Sequence, residues 1–163
     1  MEYTIQEIHN NVLKATYAHD ILESLPEWFG NPESIKEYVE AVGKYPFWAA
    51  LKAGTCLGFF SGKIHYQRTG DIYVCGISPA YHQQGIGKAL YAKVEQYFRE
   101  NHCEYVIVKT LRDRVDYEPY ITTRRFYRHL GFTELITLTE MWDEENPCLI
   151  MIKRLKNDKE ISQ

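Results

Sequence analysis

Polar and apolar residues alternate over residues 3–8, which predicts a strand. Residues 12–24 carry apolar positions at helical spacing and end before Leu25-Pro26. Asn31-Pro32 predicts the start of a second helix: a capping Asn, Pro at the first helical position and Glu33 in the first turn. That helix should run to about Val42 and stop at Gly43. Residues 47–51 predict a strand, Ala53-Gly54 a hairpin turn, and residues 56–66 a second strand relaxed by Gly58 and Gly62. Thr69-Gly70 predicts another turn, and residues 72–77 a third strand that Pro79 ends. Ile86, Leu90, Val94 and Phe98 recur every four positions and predict a helix over residues 85–99. Residues 105–110 read as a short, β-branched strand of the kind buried at the centre of a sheet. A polar loop at 111–119 precedes a short helix at 121–130, closed by Gly131. Strands follow at 132–139 and 148–152, with a loop at 142–147 between them. The charged stretch from Lys156 predicts a frayed tail.

The predicted order is β-α-α-β-β-β-α-β-α-β-β. Hairpins supply antiparallel pairs, and the crossover helix after the third hairpin strand supplies a parallel one. The fold class is therefore α/β (α+β), a mixed sheet with helices on its faces. No repeat or linker interrupts the chain, so residues 1–163 are expected to form one domain.

Charge narrows the range of partners. The formal net charge is -3 and the basic residues are scattered, so no cationic footprint for nucleic acid is expected. Cys56, Cys75, Cys103 and Cys148 form no CxxC pair, and three of them lie in apolar runs, as reduced core residues do. Residues 1–10 have no apolar segment of the signal-peptide kind, and no run approaches a membrane span. A cytoplasmic protein with no membrane partner is the expectation. The 13 Tyr are many for this length; they fit either a pocket lining or a half-buried core.

The segment from Ile72 to Leu90 carries the chemistry. A strand runs into a glycine-bearing turn, and the turn opens a helix. Free N–H groups at the positive end of a helix dipole suit a phosphate or pyrophosphate. A P-loop would need Ser or Thr where Ala89 stands and Gly where His82 stands. A dinucleotide fingerprint would need Gly at Leu90. An ordinary glycine turn before a helix remains open on these residues alone.

The stretch His82-Gln83-Gln84-Gly85-Ile86-Gly87 resembles the coenzyme A motif of the GNAT acetyltransferase superfamily, Gln/Arg-x-x-Gly-x-Gly/Ala, with His82 in place of the common Gln or Arg. Further on, Phe126-Tyr127-Arg128-His129-Leu130-Gly131-Phe132 resembles that family's Phe-Tyr-x-x-x-Gly-Phe segment, and the element order is similar throughout. Tyr120 and Thr123 stand where many members have Asn and Ala.

The resemblance implies acetyl-CoA as co-substrate; no His/Cys/Asp cluster has metal-ligand spacing, so no metal is expected. It implies that Gln83, Gln84, Gly85, Ile86, Gly87 and Lys88, with His82, hold the pyrophosphate. The pantetheine arm would lie along the Gly76-Ile77 strand end, with an N–H near Ile77 as oxyanion donor. Tyr127 would protonate the leaving thiolate; as a plain helix residue it would pack beside Phe126. Asp71 matches the position where some members carry a Glu base, and it equally suits a turn after Thr69-Gly70. A lysine-like amine with a pKa of ~10.4 is only ~0.04% neutral at pH 7, so a base or a water path helps.

Glu27, Trp28 and Trp142 are candidates for the acceptor site, since aromatic walls with carboxylates suit a cationic amine. They are equally compatible with solvated loops. His65 and Tyr66 could also face the site. The expected function is N-acetylation of a small-molecule or peptide amine by direct attack. A non-catalytic acyl-CoA sensor and transfer of a longer acyl group are the alternatives. An exposed edge in the last hairpin could pair a homodimer.

Overall fold

A computed structural model describes residues 2–112 and 117–155. The order observed is β1 (Thr4–Glu7), α1 (Asn11–Glu23), α2 (Pro32–Ala41), β2 (Phe47–Lys52), β3 (Thr55–His65), β4 (Thr69–Ile77), α3 (Ile86–Glu100), β5 (Tyr105–Leu111), α4 (Glu118–His129), β6 (Thr133–Asp143) and β7 (Asn146–Arg154). Single 3-10 turns occupy Val42–Lys44 and Pro79–Tyr81. The strands form a seven-stranded sheet in the order β1-β2-β3-β4-β5-β7-β6. The expected mixed α/β class and element order are both met. None of the helices among the described residues is long and apolar enough to cross a membrane. The expected tail from Lys156, and part of the expected loop at 111–119, lie outside the described residues.

The chain groups into two compact units. The first comprises the described parts of Met1–Lys63 and Ile72–Tyr97. Here β1 and β2 pair antiparallel from Thr4↔Leu51 to Glu7↔Trp48. β2 and β3 pair likewise, with Ala50 opposite Gly58 but Leu51 opposite Cys56, so Leu57 is an extra residue that bulges β3. α1 and α2 are each started by a capping Asn. The Asn10 side chain accepts from the N–H of Val12 and Leu13, and that of Asn31 from the N–H of Glu33. Their buried faces bring Ala18, Ile21, Leu22 and Ile35 onto Phe47, Phe59 and Val74. The Phe47 and Phe59 rings stack at 4.9 Å.

The apolar pattern of α1 misleads at its start. Val12 is 74% exposed, whereas Lys14 is only 7% exposed. Burial pushes the Lys14 pKa down, with nearby Glu7 opposing, and its Nζ donates to the Tyr45 carbonyl at 2.7 Å.

The second unit comprises Ile64–Asp71 and the described residues from Phe98 onward. β7 pairs antiparallel with β5 on one side and β6 on the other. Glu134 of β6 accepts from Arg112 at 2.7 Å and Arg128 at 2.8 Å. These contacts, the Arg112 hydrogen bond first, hold its carboxyl below the ordinary value.

Three expectations need correction in this unit. Thr69-Gly70 is not a turn but the start of β4. The reversal is made earlier by Tyr66 and Gln67, at φ 50° and 56°, with Arg68 N–H donating to the His65 carbonyl at 3.0 Å. A turn that uses non-glycine residues in the left-handed region leaves no sequence signal. α4 begins at Glu118, not at 121, because Pro119 sits in the first turn, where its missing N–H costs nothing. β6 and β7 extend to Asp143 and from Asn146, so most of the expected 142–147 loop is strand. The Asp143 carboxylate closes the short turn by accepting from Asn146 N–H at 2.8 Å.

Gly70 is glycine for packing reasons. A Cβ there would lie 2.6 Å from the ring of Phe98, which is wholly buried. Gly70→Ala should therefore cost ~1–3 kcal/mol. A melting experiment should show a fall of roughly 3–10 °C. An unchanged melting temperature would mean that the ring yields freely and that this packing account is wrong.

Candidate active site

The end of β4 is held by both side chains and backbone. Ser78 N–H donates to the Leu57 carbonyl at 2.8 Å, which ties the strand end to the β3 bulge. Gly58 allows this approach, because a Cβ there would meet the Gly76 carbonyl at 2.9 Å and Ile77 Cα at 3.2 Å. Pro79–Tyr81 then makes one tight turn. His82 is extended, at φ -63° and ψ 149°. Gln83 at φ 59° and Gly85 at φ 82° are both left-handed, and α3 starts at Ile86.

This backbone leaves donors free. The first helical bond of α3 runs from Ala89 N–H to the Gly85 carbonyl at 3.1 Å. The N–H groups of Ile86, Gly87 and Lys88 precede it and have no carbonyl of the helix to reach. Gln83, Gln84, Gly85 and Lys88 are exposed. A Cβ on Gly85 would meet nothing within 4 Å, so the space above the turn is open. The arrangement suits an anion.

His82 ties this turn to its surroundings. Its Nε2 lies 2.7 Å from the Ile77 carbonyl, the last of β4. Its ring meets Trp28 edge-on at 5.7 Å. Gln84 Nε2 donates to the Ala80 carbonyl at 3.2 Å. Ile77, His82 and Trp28 are thus brought together within the first unit. Glu27 sits beside Trp28 in the chain and is exposed.

The remaining expected residues lie in the second unit. Asp71 is only 3% exposed and belongs to β4, so it is not a turn residue. Its carboxylate Oδ2 accepts from His65 Nε2 at 2.8 Å. The His65 side chain is 42% exposed, so the solvent-facing member of this pair is the histidine. Tyr127 is buried on α4, with its ring 5.3 Å from Phe126 and 5.7 Å from Phe132. Trp142 lies on β6, 47% exposed.

Sequence reasoning missed an aromatic group in the first unit. Tyr38 of α2 meets Phe29 at 6.0 Å and Tyr73 of β4 at 5.5 Å. Tyr45 meets Tyr73 at 5.0 Å. Lys63 Nζ lies over both rings, 5.1 Å from Tyr73 and 5.5 Å from Tyr45. Burial, with smaller effects from Glu37 and Cys75, pushes the Tyr38 hydroxyl pKa up. These residues come from two loops, a helix and two strands, so only the surplus of Tyr hinted at them.

Thiol chemistry is restrained. Burial pushes the Cys56 thiol up to about 11, and it raises Cys103 and Cys148 as well. Among the described residues no group of three or more His, Cys, Asp or Glu is placed to hold a metal ion.

Comparison with known proteins agrees with this architecture. The family model described as acetyltransferase (GNAT) family matches residues 15–132. An uncharacterized N-acetyltransferase of Methanocaldococcus jannaschii is 26% identical over 118 residues, 71% of each chain. A GNAT-family protein from Desulfovibrio desulfuricans has a similar fold, with a TM-score of 0.82 at 21% identity over 94% of this chain and 99% of that one. A GNAT family acetyltransferase from Elizabethkingia anophelis, solved with acetyl-CoA bound, has a TM-score of 0.71 at 15% identity over 94% and 98%.

Proposed function

The chain belongs to the acetyltransferase (GNAT) family and is an acyltransferase, and from that premise we propose that it carries the acetyl group of acetyl-CoA to a primary amine of a small molecule or peptide. The observation that supports this most is the left-handed backbone at Gln83 and Gly85, which opens α3 with free N–H groups under open space.

Acetyl-CoA supplies an activated thioester. The N–H groups of residues 83–88 hold its pyrophosphate, helped by the dipole of α3. The resemblance gave His82 a ligand-binding role. Its ring bonds to the Ile77 carbonyl, which supports a further role in fixing the turn against the strand end. The N–H of Ile77 donates to the acetyl oxygen as charge develops there. The acceptor nitrogen bonds to the acetyl carbon, the carbon–sulfur bond breaks, and Tyr127 gives its hydroxyl proton to the departing sulfur.

The amine must first lose a proton. Asp71 is buried against His65, so in this reading His65, the solvent-facing member, receives the proton along a water path, with Asp71 as its positioning partner.

Three measurements test this reading. Acetyl-CoA at 100 times its Kd should stabilise the protein by ~2.7 kcal/mol, a thermal shift of roughly 5–10 °C. ATP and NAD should give none. No shift with acetyl-CoA, or a larger one with ATP or NAD, would mean that the glycine turn is misread. Tyr127→Phe should lower kcat by roughly 10²-fold and leave acetyl-CoA affinity near wild type; equal losses in both would make Tyr127 a packing residue. Asp71→Asn and His65→Gln should each lower kcat/KM by roughly 10²-fold and alter its pH profile. An unchanged profile in both variants removes the pair from the reaction.

A further inference from the structure

A row of rings in the first unit leads away from the glycine turn. It begins at His82, which is bonded to the end of β4 and meets Trp28. Phe29 follows Trp28 in the chain and meets Tyr38; Tyr38 meets Tyr73, and Tyr73 meets Tyr45. Trp28, Phe29, Tyr38, Tyr45 and Tyr73 are all half-buried, and all but Tyr45 pack against the core of this unit. The row ends at the ammonium of Lys63, seated over Tyr73 and Tyr45. Tyr73 stands four positions before Ile77 on β4, about 13 Å of extended chain.

The charge at that far end is positive, and two rings face it. Lys63 is half-buried, and none of the carboxylates among the described residues forms an ion pair with it. The two rings offset part of its desolvation. Lys14 adds a second ammonium that donates to the Tyr45 carbonyl, with Glu7 as the acid near it. A polycationic acceptor laid along this row would meet Lys63 with like charge. An acceptor with its amine at the transfer site and an anion at the Lys63 end avoids that repulsion.

Resting on the acetyl-transfer reading, we infer that the acceptor is an amine that also bears a carboxylate at its far end, and that Lys63 binds this carboxylate. Amino acids with extended side chains and short peptides have this chemistry; polyamines do not.

The probes are ω-amino acids of increasing length, their carboxamides, and diamines of the same length, with CoA release as the readout. The carboxylates should be preferred by roughly 10- to 100-fold in kcat/KM, the range of a hydrogen bond to a charged group. Lys63→Gln should raise KM for the carboxylates by that factor, leave kcat near wild type, and leave the carboxamides unchanged. Lys63→Arg should keep the preference. Diamines as the best acceptors, or equal losses for carboxylates and carboxamides in Lys63→Gln, would overturn the assignment. Calorimetric titration of the best ω-amino acid into protein without acetyl-CoA separates the two readings. If acetyl-CoA fails to bind, the transfer reading falls. Amino-acid binding that is lost in Lys63→Gln would still support the anion site, and binding that is unaffected would remove it.

Discussion

Left-handed backbone at Gln83 and Gly85 sets the direction in which α3 leaves the end of β4. Glycine takes such a conformation without strain, but glutamine does not. Something must hold Gln83 there. The hydrogen bonds on either side do so: His82 to the Ile77 carbonyl, Gln84 to the Ala80 carbonyl, and Ser78 N–H to Leu57. With the turn pinned at both ends, the N–H groups that open α3 point outward before any ligand arrives. Pre-organised donors do not have to be ordered on binding, which is where much of the cost of holding a flexible anion otherwise falls.

The same economy explains the buried polar groups. Asp71 is almost wholly buried, and a carboxylate so placed needs a partner to offset its desolvation. His65 supplies it from the neighbouring hairpin position. Lys14 solves a similar problem with a backbone carbonyl. No buried side-chain nitrogen or oxygen among the described residues lacks a hydrogen bond. The polar interior of the described residues is thus satisfied, and the half-buried Lys63 ammonium rests over two rings instead of a carboxylate.

What could be read from the sequence followed from how local each cause is. The four-residue repeat of Ile86, Leu90, Val94 and Phe98 is a property of one helix, and all four residues are buried as it implies. Asn31-Pro32 is a local start signal, and α2 begins there. The glycine turn was visible because Gly85 is needed by its own backbone. The turn at Tyr66-Gln67 was not, since its residues carry no conformational signature. Gly70 was misread for the converse reason: it is glycine because Phe98, distant in sequence, covers it. The aromatic row was hidden likewise, assembled from a loop, a helix and strands with no common spacing. Asp71 and His82 each have a partner, a side chain and a backbone carbonyl, that only the folded chain supplies.

The thiols bear on how the acetyl group moves. A cysteine could in principle take it first and pass it on, but that requires thiolate. With a pKa of about 11, Cys56 is ionised at pH 7 to only about one part in 10⁴. Its S–H is also engaged, donating to the Gly58 carbonyl at 3.4 Å. Cys103 and Cys148 are buried and raised in the same direction. An acetyl-cysteine relay through any of these three would have to overcome both burial and protonation before it began. Direct attack by the acceptor needs neither. It does require that the acceptor be held while acetyl-CoA is still bound, so recognition has to reach beyond the reacting amine. A half-buried aromatic row that starts at the glycine turn and ends at the Lys63 ammonium is the feature of the first unit that we propose for it.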